Sequence, residues 1–143
     1  MQVEARVTVV IQSNAEHLDL VMAMVRGVCE AYLEPRGAHR LVEVAVGEAC
    51  SNVVRHAHAG QPRETFTLDL RVDDADVEFV ITDRGEGYDF AGRSMPVPDL
   101  ERLEALPEGG FGIPLIKAIM DVAEYRREPD RNVLRLVKHR SAG

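Results

Sequence analysis

Apolar and polar residues alternate from Val3 to Gln12, with Val3, Ala5, Val7 and Val9 on one side, which is the period of a half-buried β-strand. The period changes at "SNAE". Ser13 and Glu16 have the spacing of a capping box, in which each side chain satisfies a free backbone N–H at a helix start. Leu18, Val21, Met22, Val25, Val28, Cys29 and Tyr32 then share one helical face to about Glu34, where Pro35 and Gly37 end the pattern. A second helix is predicted from about Ala38 to His56, with Leu41, Val42, Ala45, Val46, Ala49 and Val53 as its apolar face. After "AGQPR", two alternating runs, "ETFTLDLRVD" and "DVEFVITD", read as a hairpin closed by "DDA". From Arg84 to Gly110 the period is lost and glycines and prolines accumulate, with one or two helical turns expected in "DLERLEAL". A connection of this length in a small domain is usually a functional loop or lid. Order returns with "FGIPLIKAIMDV", a short apolar helix, and with strands in "AEYRRE" and "NVLRLVKH" around the turn "PDRN".

The order strand, helix, helix, strand, strand, loop, helix, strand, strand predicts an α+β fold. Amphipathic helices must bury their stripes, so they are expected on one face of a mixed, mostly antiparallel sheet, as a two-layer α/β sandwich. The 143 residues fit one domain, 1–143, able to bury roughly two-thirds of its unfolded surface. There are no internal repeats or low-complexity tracts.

Composition removes several function classes. With 17 basic and 24 acidic residues the net charge is −7, and no run of like charge supplies the basic footprint of a nucleic-acid binder. No direct nucleic-acid partner is expected. No apolar run approaches the roughly 18 residues of a membrane span, and the N-terminus lacks the basic and apolar regions of a secretion signal. A cytoplasmic location away from membranes is the expectation. Cys29 and Cys50 fall in helical patterns without C-x-x-C spacing, so buried reduced thiols are expected rather than a disulfide or a metal site.

Three patches carry candidate chemistry. Glu48 and Asn52 lie one helical turn apart, with Arg55 and His56 beside the same line. A carboxylate suits a general base, an amide oxygen suits Mg²⁺ and a cation suits phosphate, although a polar helix margin has the same pattern. In "DRGEGYD", Gly85 and Gly87 follow a strand that ends in Asp83, so a flat ligand can approach a backbone without Cβ atoms and Asp83 can accept from an exocyclic amine. An ordinary turn has the same residues. The spacing is not a dinucleotide fingerprint. In "EGGFGIPLIK", Gly109, Gly110 and Gly112 precede a helix whose free N–H groups favour an anion, and Pro114 fits its first turn. A flexible hinge is the alternative. It is not a Walker A loop, and Lys117 lies too far inside the helix to serve as one.

In order, E-x-x-x-N on a helix, D-x-G-x-G after a strand, a long lid and G-x-G opening a helix resemble the N, G1 and G2 boxes of the Bergerat-fold ATPases. Within that superfamily the small size, the N-terminal strand and capped helix, and "EACSNVVRHA" look most like the RsbW/SpoIIAB anti-sigma factor serine kinases, over nearly the whole chain. The resemblance implies the Bergerat ATP-binding fold. It also implies Glu48 as general base toward a partner's serine, Asn52 as Mg²⁺ ligand and Asp83 as acceptor of the adenine amino group. Arg55, Gly85 and Gly87 would lie against the nucleotide, Gly110, Phe111 and Gly112 at its phosphates, and residues about 88–109 would form the ATP lid. Where some relatives carry an arginine just before the G2 glycines this chain has Glu108, and its "HAH" puts His58 where "HAY" is frequent. His56 is expected to close the helix.

The implied activity is an ATP-dependent protein serine kinase and anti-sigma factor. It would phosphorylate a STAS-type anti-anti-sigma protein with Mg-ATP, sequester a sigma factor and form a homodimer. Two alternatives are a switch kinase on a stressosome-type STAS protein that binds no sigma factor, and a non-catalytic ATP-gated binding module. A stand-alone histidine-kinase ATPase domain ranks below these, because no helix carrying an acceptor histidine precedes the first strand.

Overall fold

The computed structural model describes residues 3–33, 38–57, 64–87, 90 and 112–140. Strand β1 (Val3–Gln12) leads into helices α1 (Ala15–Tyr32) and α2 (Ala38–Asn52), and α2 runs on into a π-helical turn, Val53–Ala57. Then come β2 (Thr65–Asp73), β3 (Asp76–Asp83), α3 (Gly112–Ile119), β4 (Val122–Arg127) and β5 (Asn132–His139).

Local chemistry accounts for most of these boundaries, with one correction. The N-cap of α1 is Asn14 rather than Ser13: its extended backbone lets Oδ1 accept from Glu16 N at 2.9 Å. Ser13 is held instead by the sheet, its N–H donating to Glu64 O at 2.7 Å, so the predicted Ser13/Glu16 box does not form. At the other end, Leu33 N donates to Cys29 O at 2.9 Å; Pro35 and Gly37 lie outside the described residues. The β2–β3 hairpin closes on Asp73, whose Oδ1 accepts from Ala75 N and Asp76 N, both at 2.8 Å. Those two bonds hold the Asp73 carboxyl below its ordinary pKa.

The sheet order is β1-β2-β3-β5-β4, and every pairing is antiparallel. The expected mixed sheet is antiparallel throughout because β5 fits between β3 and β4, the two strands joined through α3. Alternation gives the sheet two faces. Phe66, Leu68, Leu70, Phe79, Ile81, Leu134 and Leu136 point inward and share one core with Val21 and Val25 of α1, Val42 and Val46 of α2, and Leu115 and Ile116 of α3. The opposite face is largely polar: Asp69 accepts from Thr8 Oγ1 at 2.6 Å, and Arg135 Nε donates to Glu78 Oε2 at 2.7 Å. Cys29 and Cys50 are fully buried, and burial pushes each thiol up to about 12, so neither supplies a thiolate at neutral pH.

Two features position the site. The inward row at the last residue of β3 consists of Asp83, Asn132 and Arg127, paired across β3, β5 and β4. Lys138 Nζ caps the far end of α3 through Ile119 O at 2.8 Å, at the opposite end of β5 from Asn132. The first residue of α3, Gly112, therefore lies toward the Asp83 end.

Candidate functional site

The 3.6-residue period stacks Glu48 and Asn52 on one line of α2, and the fold sets the opening glycine of α3 against them. A Cβ added to Gly112 would stand 2.9 Å from Glu48 Oε2 and 3.6 and 3.7 Å from the Asn52 amide atoms. No larger residue fits there without displacing the carboxylate. Asn52 is only 5% exposed, and α2 widens into the π turn directly after it, a local irregularity common at functional sites. From that turn Arg55 Nη2 reaches 3.5 Å from Asn52 Oδ1 and 3.6 Å from Glu48 Oε2. The second contact is an ion pair without a hydrogen bond, and Arg55 is about half exposed, so it neutralises Glu48 only modestly.

Glu48 Oε2 and Asn52 Nδ2 are buried without a hydrogen-bond partner among the described residues. Leaving a buried polar atom unsatisfied costs about 1–3 kcal/mol. Two such atoms side by side, facing the N-terminus of a helix, mark a place built for a ligand.

At the end of β3 the second group is fully organised. Asp83 is 3% exposed, and its Oδ1 accepts from Gly85 N and from Asn132 Nδ2, each at 2.9 Å. Asn132, also 3% exposed, gives its other amide hydrogen to Gly85 O at 2.9 Å. One carboxylate oxygen is thus held by the protein, and Oδ2 remains an acceptor for an incoming donor. Gly87 has φ +80°, which L side chains rarely adopt. The residue before it, Glu86, is held from β4 by Arg127, whose Nη2 donates to Glu86 O at 2.6 Å.

The fold therefore gathers Glu48, Asn52, Arg55 and Gly112 in one group and Asp83, Gly85 and Gly87 in a second, both on the helix-covered side at the same end of the sheet. Gly110, Phe111, the 88–109 lid with Glu108 apart from Phe90, the turns expected in "DLERLEAL", His58 and the His56 side chain lie outside the described residues. Lys117 is engaged elsewhere: its Nζ donates to Phe90 O at 2.7 Å and sits 4.7 Å from the Phe90 ring centre, while that ring stacks on Tyr125.

Sequence reasoning missed Asn132 and Arg127. The signal was a polar residue in an apolar phase: Asn132 alternates with Leu134 and Leu136, and Arg127 with Ala123 and Tyr125. Asn132→Leu removes both amide bonds and leaves Asp83 Oδ1 and Gly85 O short of a donor. It should destabilise the fold by about 1–3 kcal/mol, read as a lower urea midpoint at unchanged slope. Unchanged stability would show that the Asp83–Asn132 pair does not organise the strand end.

The donor set fits Mg²⁺. Among the described residues no group of three or more His, Cys, Asp and Glu side chains could hold a metal alone. Mg²⁺, however, is commonly held by few protein oxygens together with water and substrate phosphates, and Asn52 Oδ1 is such an oxygen beside the start of α3. Among the described residues no helix is long and apolar enough to cross a membrane.

Comparison with known proteins places the chain in a family. Residues 11–138 match the histidine kinase-like ATPase domain family. The serine-protein kinase RsbW of Halalkalibacterium halodurans is 32% identical over 90 residues, 61% of this chain and 54% of that protein. The RsbW of Oceanobacillus iheyensis is 36% identical over 83 residues, 56% of this chain and 52% of that protein. The chain thus spans about half the length of these two relatives. The RsbW of Staphylococcus epidermidis is 28% identical over 120 residues, 81% of this chain and 76% of that protein. A crystal structure of the RsbU and RsbW domains of a Mycobacterium tuberculosis protein superposes with a TM-score of 0.67 at 14% identity, over 96% of this chain and 34% of that one. That likeness concerns the fold.

Proposed function

The chain belongs to the histidine kinase-like ATPase domain family, and we propose that it is an RsbW-like protein serine kinase that uses Mg-ATP. The observation that carries this reading is the pair of unsatisfied buried atoms, Glu48 Oε2 and Asn52 Nδ2, against a glycine whose Cβ would fill the space before them. The relatives named serine-protein kinase RsbW support it.

In this reading the adenine amino group donates to Asp83 Oδ2 while the nucleotide passes over Gly85 and Gly87. Backbone N–H groups at Gly110, Phe111 and Gly112 and the positive end of α3 hold the phosphates. Arg55 adds a cation at their edge. Glu48 takes the proton from a partner's serine as its Oγ bonds to the γ-phosphorus, and the bond from that phosphorus to the ADP oxygen breaks. Such transfer depends mainly on positioning and charge neutralisation. Bound through Asn52, Mg²⁺ supplies further neutralisation of phosphate charge.

The serine donor is a STAS-domain anti-anti-sigma protein, and the kinase otherwise sequesters a sigma factor in the cytoplasm, without direct contact to nucleic acid or membrane. A homodimer is part of the proposal. It is supported by β1, the sheet's edge strand, which exposes Val7 at 43% and Val10 at 67%. Capture of a sigma factor separates this reading from a switch kinase that binds none.

The nucleotide part is tested by metal removal. Calorimetry is expected to show ATP binding in Mg²⁺ that weakens about ten-fold or more in excess chelator, each factor of ten being about 1.4 kcal/mol. No ATP binding in either condition would contradict it.

A further inference from the structure

The alternation of β4 turns Arg127 to the helix side at the end of an edge strand, where its guanidinium reaches over the sheet end. Its Nη2 takes Glu86 O at 2.6 Å, and its Nε lies 2.7 Å from where a Cβ of Gly87 would stand. Beside it, Asn132 Nδ2 takes Gly85 O at 2.9 Å. Two successive carbonyls of the Asp83–Gly87 turn are thus drawn toward donors on β5 and β4.

The described peptide bonds are all trans, and a trans peptide points its N–H opposite to its C=O. The N–H groups of Glu86 and Gly87 are therefore turned away from Asn132 and Arg127. Gly87 has φ +80°, and two successive backbone N–H groups turned to one side can receive an electronegative atom. The bond from a charged donor to Glu86 O also polarises that peptide and makes the Gly87 N–H a stronger donor.

We propose that Arg127 is a positioning residue for the nucleotide: it fixes and polarises the Glu86–Gly87 peptide so that its N–H donates to an acceptor atom of the bound adenine nucleotide. The inference rests on the nucleotide reading above and adds a residue that none of the three boxes contains. Arg127 is exposed, so its replacement spares the core.

Calorimetry with ADP on native protein, Arg127→Ala and Arg127→Lys, together with the Gly87 amide resonance, tests it. Arg127→Ala is expected to weaken ADP binding about three- to ten-fold, the size of one partly exposed charge-assisted hydrogen bond. Arg127→Lys, which still places a donor at Glu86 O, is expected to retain most of the affinity. The Gly87 amide proton is expected to move upfield in Arg127→Ala and to lose most of its response to ADP. ADP binding by Arg127→Ala equal to native, or weaker binding with an unaltered Gly87 response, would overturn the inference while leaving the nucleotide reading in place. Absence of ADP binding by the native chain would overturn both.

Discussion

Glu48→Gln is expected to lower phosphate transfer to a serine by roughly 10²- to 10⁴-fold, the usual contribution of a positioned base, with nucleotide affinity little changed. The substitution is nearly isosteric, so the packing against Gly112, only 2.9 Å from a virtual Cβ to Oε2, is kept. What disappears is the ability to take a proton, together with the charge that faces Arg55 at 3.6 Å. Because the proposed binding mode relies on Asp83 and the backbone of the glycine boxes, the loss should fall on turnover. Rapid-quench transfer measured at saturating ATP reads it directly. Native-rate transfer by the variant would remove Glu48 from the chemistry, and an equal loss of ATP binding would recast it as a structural group.

Asp83→Asn is the second large effect and should weaken adenine-nucleotide binding about ten- to hundred-fold, corresponding to one or more buried hydrogen bonds lost with a donor left unsatisfied. The reason lies in the network. Oδ1 already accepts from Gly85 N and Asn132 Nδ2, at 2.9 Å each. An asparagine amide placed there must turn its NH₂ either toward those two donors or toward the adenine amine. In both orientations a donor meets a donor. Calorimetry with ADP measures the change, and native affinity in the variant would refute the adenine assignment.

These two residues also show what the sequence made legible. Glu48 and Asn52 stand on one face because helical spacing is local, and the β2–β3 hairpin is local in the same sense, its turn closed by Asp73 within three residues. Asp83 could be placed at a strand end from alternation alone. Its partner could not, because Asn132 is 49 residues away and meets it only through the β3–β5 register. The same non-local cause moved the cap of α1 by one residue: Ser13 is tied to Glu64 across the sheet, which leaves Asn14 to cap. Arg127 is one of three successive charges, Arg126 to Glu128, and only the strand order puts it in the Asp83 row. The widening of α2 at Val53–Ala57 likewise has no signature in the apolar period, which continues through Val53.

Phosphate transfer by this chain is the central step of the proposed function. The direct measurement is the intact mass, followed by site mapping, of a STAS-domain partner after incubation with the native protein and Mg-ATP, beside the same reaction with Glu48→Gln. The expected result is a single phosphate on one serine of the partner, formed by the native protein and nearly absent with the variant. A partner that stays unmodified while the native protein demonstrably binds ATP would contradict the kinase reading and leave an ATP-gated binding module in its place.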